Sequence, residues 1–222
     1  MKKIKYCLTL ILLTCSAMSF AQFSNGGGSS TPSDANQAWK GLRFGYDLTS
    51  ANGDNYDGDG GYTFHGFNME YVHAFNIAKI PLFIETGGGI SFARYKENLE
   101  WGYDEYSFSQ SVNMLSLRIP VNLVYKIRLN DKISIKPFTG FYLRANLMGK
   151  YKLSDGEDSE DYNVFDKDDM ENTWNRVQFG WQIGTTLDIN KFNIGIGYAL
   201  DFNELAEGIK CGIFSAKVGI NF

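Results

Sequence analysis

Nine carboxylates fall within residues 152–172: Asp155, Glu157, Asp158, Glu160, Asp161, Asp166, Asp168, Asp169 and Glu171. Hard divalent cations take oxygen ligands, so this segment could bridge such ions to anionic lipopolysaccharide. A solvated, self-repelling loop explains the charge run more simply. Residues 55–60, NYDGDG, put Asn55, Asp57, Asp59 and Gly60 at the first, third, fifth and sixth places of a calcium loop. Its twelfth place is Gly66, where a bidentate glutamate is required, so the match fails. His65 and His73 share parity with Phe67, Met69 and Tyr71. They read as interfacial side chains at opposite membrane boundaries, with no serine or acid assignable as a catalytic partner. Cys211, on the polar parity of its segment, reads as a small buried filler rather than a nucleophile. No catalytic residue, metal site or cofactor is assigned.

Period-two patterning positions these groups. In MLSLRIPVNLVYKIRL, residues 114–129, every odd position from Leu115 is apolar, while even ones include Arg118, Asn122, Lys126 and Arg128. Eight such segments occur, near 40–50, 61–75, 80–95, 111–129, 133–151, 173–189, 192–202 and 210–222. Their connections alternate long and short, from ANGDNYDGDG to NIAK, KENLEWGYDEYSFSQ to NDK, and KLSDGEDSEDYNVFDKDDMEN to NK, with NELAEG last. An even strand number with short turns at one end and long loops at the other marks outer-membrane barrels, whose lower limit is eight strands. The expected fold is an all-β, eight-stranded antiparallel up-and-down transmembrane β-barrel with short periplasmic turns and long external loops.

Alternation alone does not say which face meets oil, because a secreted lipocalin-like carrier also has eight strands but turns its apolar side chains inward. The export signal, loop asymmetry, strand length and side-chain sizes on each face decide together. Leu115, Leu117, Ile119, Val121 and Leu123, or Ile194, Ile196, Tyr198, Leu200 and Phe202, would overfill so narrow an interior. The opposite face sets long polar chains beside small ones, such as Arg144 near Gly140 and Asp201 near Gly195 and Gly197. A cation facing lipid at midplane costs ~2–4 kcal/mol, so a one-residue slip is heavily penalised. The lumen is then expected to hold Arg43, Asp47, Glu70, Glu85, Arg118, Lys126, Arg128, Lys136, Arg144, Arg176, Asp188, Asp201 and Lys217. Paired, these would plug it rather than line a wide channel. Tyr46, Phe75, Trp101, Tyr125, Tyr151, Trp174 and Phe192 suit interfacial girdles.

Residues 1–21 combine Lys2, Lys3 and Lys5 with an apolar run and then small residues, which reads as a signal peptide cleaved between Ala21 and Gln22. Residues 22–39 form a flexible leader rich in glycine and serine, and residues 40–222 the barrel. Cleavage removes three lysines and no acids, taking the formal charge from −4 to −7, which disfavours nucleic-acid binding. Cys7 and Cys15 leave with the signal, so no internal disulfide can form around Cys211.

LSLRIPVNLVYKI, IKPFTGFYLRANLMGKYK, QFGWQIGTTLDINKFNIGIGYALDFNEL and KVGINF resemble the porin-family outer-membrane β-barrel proteins of the small type common in Bacteroidetes-type bacteria. The resemblance runs from about residue 40 onward. It places Ile119-Pro120 in a central strand and implies that Phe222, with Val218 and Ile220, forms the signal read by the barrel-assembly machinery. Its partners would be that machinery and outer-membrane lipid. The residues and the resemblance together lead us to expect a non-enzymatic outer-membrane protein whose acidic loops serve membrane integrity or surface contacts. A membrane-embedded lipid hydrolase or acyltransferase, and the secreted carrier, are the alternatives.

Overall fold

The computed structural model describes residues 37–53, 62–77, 79–100, 107–154, 158–170 and 172–222. The signal segment with Ala21 and Gln22, most of the leader, NYDGDG, Trp101, and the acids Asp155, Glu157 and Glu171 lie outside the described residues. The strands are β1 (Trp39–Gly53), β2 (Tyr62–Asn76), β3 (Leu82–Glu100), β4 (Ser107–Tyr125), β5 (Ile127–Arg128), β6 (Ile133–Ser154), β7 (Ser159–Asn163), β8 (Val177–Ile189), β9 (Phe192–Asp201) and β10 (Ile209–Asn221). β5 continues the line of β4 past Lys126, and β7 branches from β6. The other eight form an antiparallel ring in the order β1, β2, β3, β4, β6, β8, β9, β10, closed by β10 on β1.

The ring is staggered. Stepping between register partners from Trp39 through Ala74, Glu85, Asn122, Gly140, Gln182, Ala199 and Ile213 returns to β1 at Thr49, ten residues further on. Such closure tilts the strands by roughly 40° and leaves an interior that side chains can fill. Side-chain sizes sort accordingly. Phe67, Ile90, Val121, Phe141, Phe179, Ile194 and Val218 stand exposed on the outer wall, while Arg43, Glu85, Lys136 and Asp201 are buried inside. That distribution overturns the lipocalin-like alternative, which needs the opposite polarity.

The short turns follow their local chemistry. Asn190 takes φ 55° between β8 and β9, a conformation asparagine tolerates. Asn130 Oδ1 accepts hydrogen bonds from the amides of Lys132 and Ile133 at 2.8 and 2.9 Å, an Asx turn. The long-loop end departs further from the sequence reading. β3 and β4 stay paired out to Glu100 and Ser107, so much of their connection is sheet. Part of the acidic segment is sheet too, because β7 pairs with β6 from Lys150–Asn163 to Ser154–Ser159. Trp39, assigned to the flexible leader, opens β1. Its indole donates to Glu85 at 3.0 Å and packs on Phe83 with ring centres 4.6 Å apart.

One irregularity resets a face. Between the Leu115–Met148 and Ser116–Asn146 pairs, β6 holds one extra residue, Leu147. This β-bulge leaves Leu147 and Met148 both exposed and buries Gly149. Beyond it the even positions of β6 point outward. Gly149 is required there, since a Cβ would sit 2.5 Å from Val164 Cγ2, where the segment after β7 closes over the strand.

Candidate functional site

The lumen is filled in layers. At the short-turn end Trp39, Ala74, Phe83 and Val124 form an apolar floor with Phe138 against it. Above the floor, Arg43 grips both carboxylate oxygens of Glu85, at 2.9 and 2.5 Å. Lys136 Nζ lies 2.7 Å from Asp188 and 4.2 Å above the Trp39 ring. Higher still, Lys217 donates to Glu70 at 2.7 Å. Arg118 donates to Gln182 at 2.7 Å, and Gln182 to Asn122 at 2.6 Å. The Arg118 guanidinium then stacks 4.3 Å from the centre of the Tyr142 ring, and both Tyr142 and Arg144 donate to Asp201.

The layers are charge-balanced. Among the described residues, Arg43, Arg118, Lys136, Arg144 and Lys217 face Asp47, Glu70, Glu85, Asp188 and Asp201 in the interior. Four ion pairs join eight of them. Arg118 and Asp47 form none among the described residues, and both line a cavity of about 30 Å³ with Ser91, Ser116 and Arg144. A second cavity of about 30 Å³ is lined by Arg43, Glu70, Asn122, Gln182 and Lys217 among others. Each is roomy enough for an ordered water, and Arg118 borders both.

At the long-loop end the interior turns apolar again. Ala51, Phe64, Val112, Met114, Leu205 and Cys211 form a buried roof, against which Tyr62, Tyr95, Tyr151 and Trp174 pack. Leu205 arrives from the β9–β10 loop, which is latched to the start of β8. Asn203 accepts from the Phe179 amide at 2.9 Å and donates to Val177 O at 2.8 Å, and the Asn175 amide donates to Leu205 O at 2.6 Å.

Against this geometry, residues 20–207 match the outer membrane protein beta-barrel domain. The chain belongs to this family. As a barrel of the outer membrane, it turns its short connections to the periplasm and its long loops outward. No curated protein matches the sequence. Solved structures of similar shape include Ail, the attachment invasion locus protein of Yersinia pestis, in complex with the heparin analogue sucrose octasulfate. It is 20% identical, with 84% of this chain and 99% of that chain covered and a TM-score of 0.42. Neisserial surface protein A is 12% identical, with coverage of 84% and 99% and a TM-score of 0.46.

In this outer-membrane barrel nine of the thirteen residues assigned to the lumen are buried: Arg43, Asp47, Glu70, Glu85, Arg118, Lys136, Arg144, Asp188 and Asp201. Lys217 is half-buried on Glu70. The other three lie elsewhere. Lys126 is half-buried at the periplasmic mouth, 5.8 Å from the Trp39 ring centre. Arg128, opposite Ser134 in the two-residue β5, is exposed at the end of the barrel wall and lies 3.7 Å from Asp131 in the adjoining turn. Arg176 precedes β8, lies 4.3 Å from the Phe165 ring centre and donates to Leu147 O at 3.3 Å.

Two girdle aromatics are also reassigned, since Tyr151 and Trp174 pack against the roof instead of facing lipid. Tyr46, Tyr125 and Phe192 are exposed on the outer wall, as are Val218, Ile220 and Phe222 near the seam. His65 Nδ1 is hydrogen-bonded to Tyr46 Oη on the outer wall, and His73 stacks on Phe75 with ring centres 4.1 Å apart. No group of three or more metal-ligating side chains occurs among the described residues.

Proposed function

We propose that this protein is a non-enzymatic outer-membrane barrel whose lumen is closed to diffusion and whose acidic external loops serve membrane integrity or surface contacts. The observation that carries the reading is the interior itself: ion pairs bridge the ring between an apolar floor and an apolar roof. A conducting pore needs a continuous aqueous path, whereas the two cavities of about 30 Å³ beside Arg118 are each the size of a water site. Rigid walls then hold the loops outside the cell. Export through a signal cleaved between Ala21 and Gln22 belongs to the same reading. So does recognition of Val218, Ile220 and Phe222 on the outer face by the barrel-assembly machinery, and so does kinship with the small porin-family barrels of Bacteroidetes-type bacteria. The test is conductance of the purified, folded protein in planar bilayers. We expect no large stable openings; long-lived, high-conductance steps from the unaltered protein would refute the closed lumen.

A further inference from the structure

One sector of the outer wall carries an unusual charge. On the outward positions of β3, Ile90 and Phe92 are followed by Arg94 and Lys96, all four exposed. On β6, Met148 is followed by Lys150 and Lys152, again exposed. These lysines reach the outside only because of the bulge at Leu147. Without it they would keep the parity of Arg144 and Asn146 and enter the roof. Register brings the cations together across β4: Arg94 is opposite Asn113, which is opposite Lys150, and Lys96 is opposite Ser111, which is opposite Lys152. The outer two strands of this set stand about 10 Å apart, two strand spacings.

None of the four cations makes an ion pair with a described residue. Asp161 of β7 stands opposite Lys152, so Arg94, Lys96 and Lys150 carry the positive field. Directly membraneward lies exposed hydrocarbon from Ile90, Phe92, Leu147 and Met148. The opposite wall differs, with Lys210 alone on the outward face of β10 above Phe214.

We propose that this sector binds a phosphorylated glycolipid of the external leaflet, with acyl chains on Phe92 and Met148 and phosphates held by Arg94, Lys96 and Lys150. A soluble polyanion would match the cations but not the apolar strip beneath them. A lipid with anionic headgroups matches both, because basic side chains near an anionic lipid surface attract it. The inference goes beyond the closed-lumen reading and is independent of it, since bilayer conductance does not depend on these residues.

The test reconstitutes the full folded chain in phosphatidylcholine vesicles containing bisphosphorylated lipid A, monophosphorylated lipid A or neither, and measures retained lipid A by native mass spectrometry. We expect retention to fall with phosphate number, and the R94Q/K96Q/K150Q variant to bind bisphosphorylated lipid A about tenfold more weakly or worse. K210Q, and the periplasmic K132Q/K191Q, should bind as the unaltered protein does. Equal losses in the control variants would reduce the effect to net charge and overturn the site. Binding of a soluble sulfated glycan as tight as that of lipid A would overturn the lipid as occupant. Heat-modifiable gel migration reports folding. Should the triple variant fail that check, K96Q and K150Q, on either side of β4, should each weaken binding about threefold, and unchanged binding in both would refute the proposal.

Discussion

The middle of the lumen and its two ends solve the same problem with opposite chemistry. In the middle, ten charges cancel across the ring, and side-chain geometry rather than oiliness fills the space. At each end, tryptophan, phenylalanine and valine exclude water as in a soluble core. Ion pairs alone would invite solvent from both mouths, and the screening it brings would weaken them. Apolar caps alone would leave no residue-specific register along the barrel. The caps keep the pairs dry, and the pairs fix which strand faces which.

That contrast can be broken most forcefully in the middle. Glu85→Leu strands the Arg43 guanidinium without its carboxylate, and we expect a loss of about 3–5 kcal/mol in urea unfolding from phosphatidylcholine vesicles. Adding Arg43→Met should recover most of that loss, because a removed pair leaves no orphan charge. A single-variant cost under about 1 kcal/mol would show the pair already hydrated. The roof should respond less. Leu205→Ala removes a buried side chain from a loop that can partly settle, and we expect about 2 kcal/mol in the same measurement.

The smallest effect is expected where the polar chemistry of the middle recurs in open water. Near the external tip of β3, Tyr95 Oη donates to Glu97, and Gln110 donates to the same oxygen at 2.7 Å. These bonds hold the exposed Glu97 carboxyl below its ordinary 4.5. A depressed carboxyl contributes stability that is present above pH 4.5 and is lost as pH falls through the lowered value. Glu97→Gln should therefore flatten a slight acid-side slope in stability, worth less than about 0.5 kcal/mol at this exposure. A titration of Glu97 by NMR with its midpoint at or above 4.5 would contradict the assignment.

The eight strands and the polarity of the two faces were readable from alternation, because each odd-even choice is reinforced over many residues, as from Leu115 to Tyr125. The charges that meet inside were readable as a set, but not their pairing, since register links Arg43 to Glu85 and Glu70 to Lys217 only once strands are aligned. Parity fails at edges and defects. Arg128, the last residue of the two-residue β5, and Arg176, just ahead of β8, share the lumen parity but sit at the ends of the barrel wall, and there a long side chain goes where water is. The bulge did leave a mark: Leu147-Met148, two large apolar residues in succession, followed by Gly149. The roof was less visible, because Leu205 and Trp174 come from loops whose inward fold depends on backbone contacts such as those made by Asn203 and Asn175.

The seam between β1 and β10 has a kinetic consequence. Ser215 donates to Asp47 at 2.6 Å across 168 positions of sequence, and Phe222 exchanges backbone hydrogen bonds with Lys40. Contacts of such high order make folding slow, and before β10 arrives β1 offers a bare strand edge to any passing chain. The ring therefore cannot close until β10 has paired with β1. Until that pairing forms, the growing sheet keeps two open edges, and pairs that span the seam region, such as Lys217 with Glu70, cannot be made.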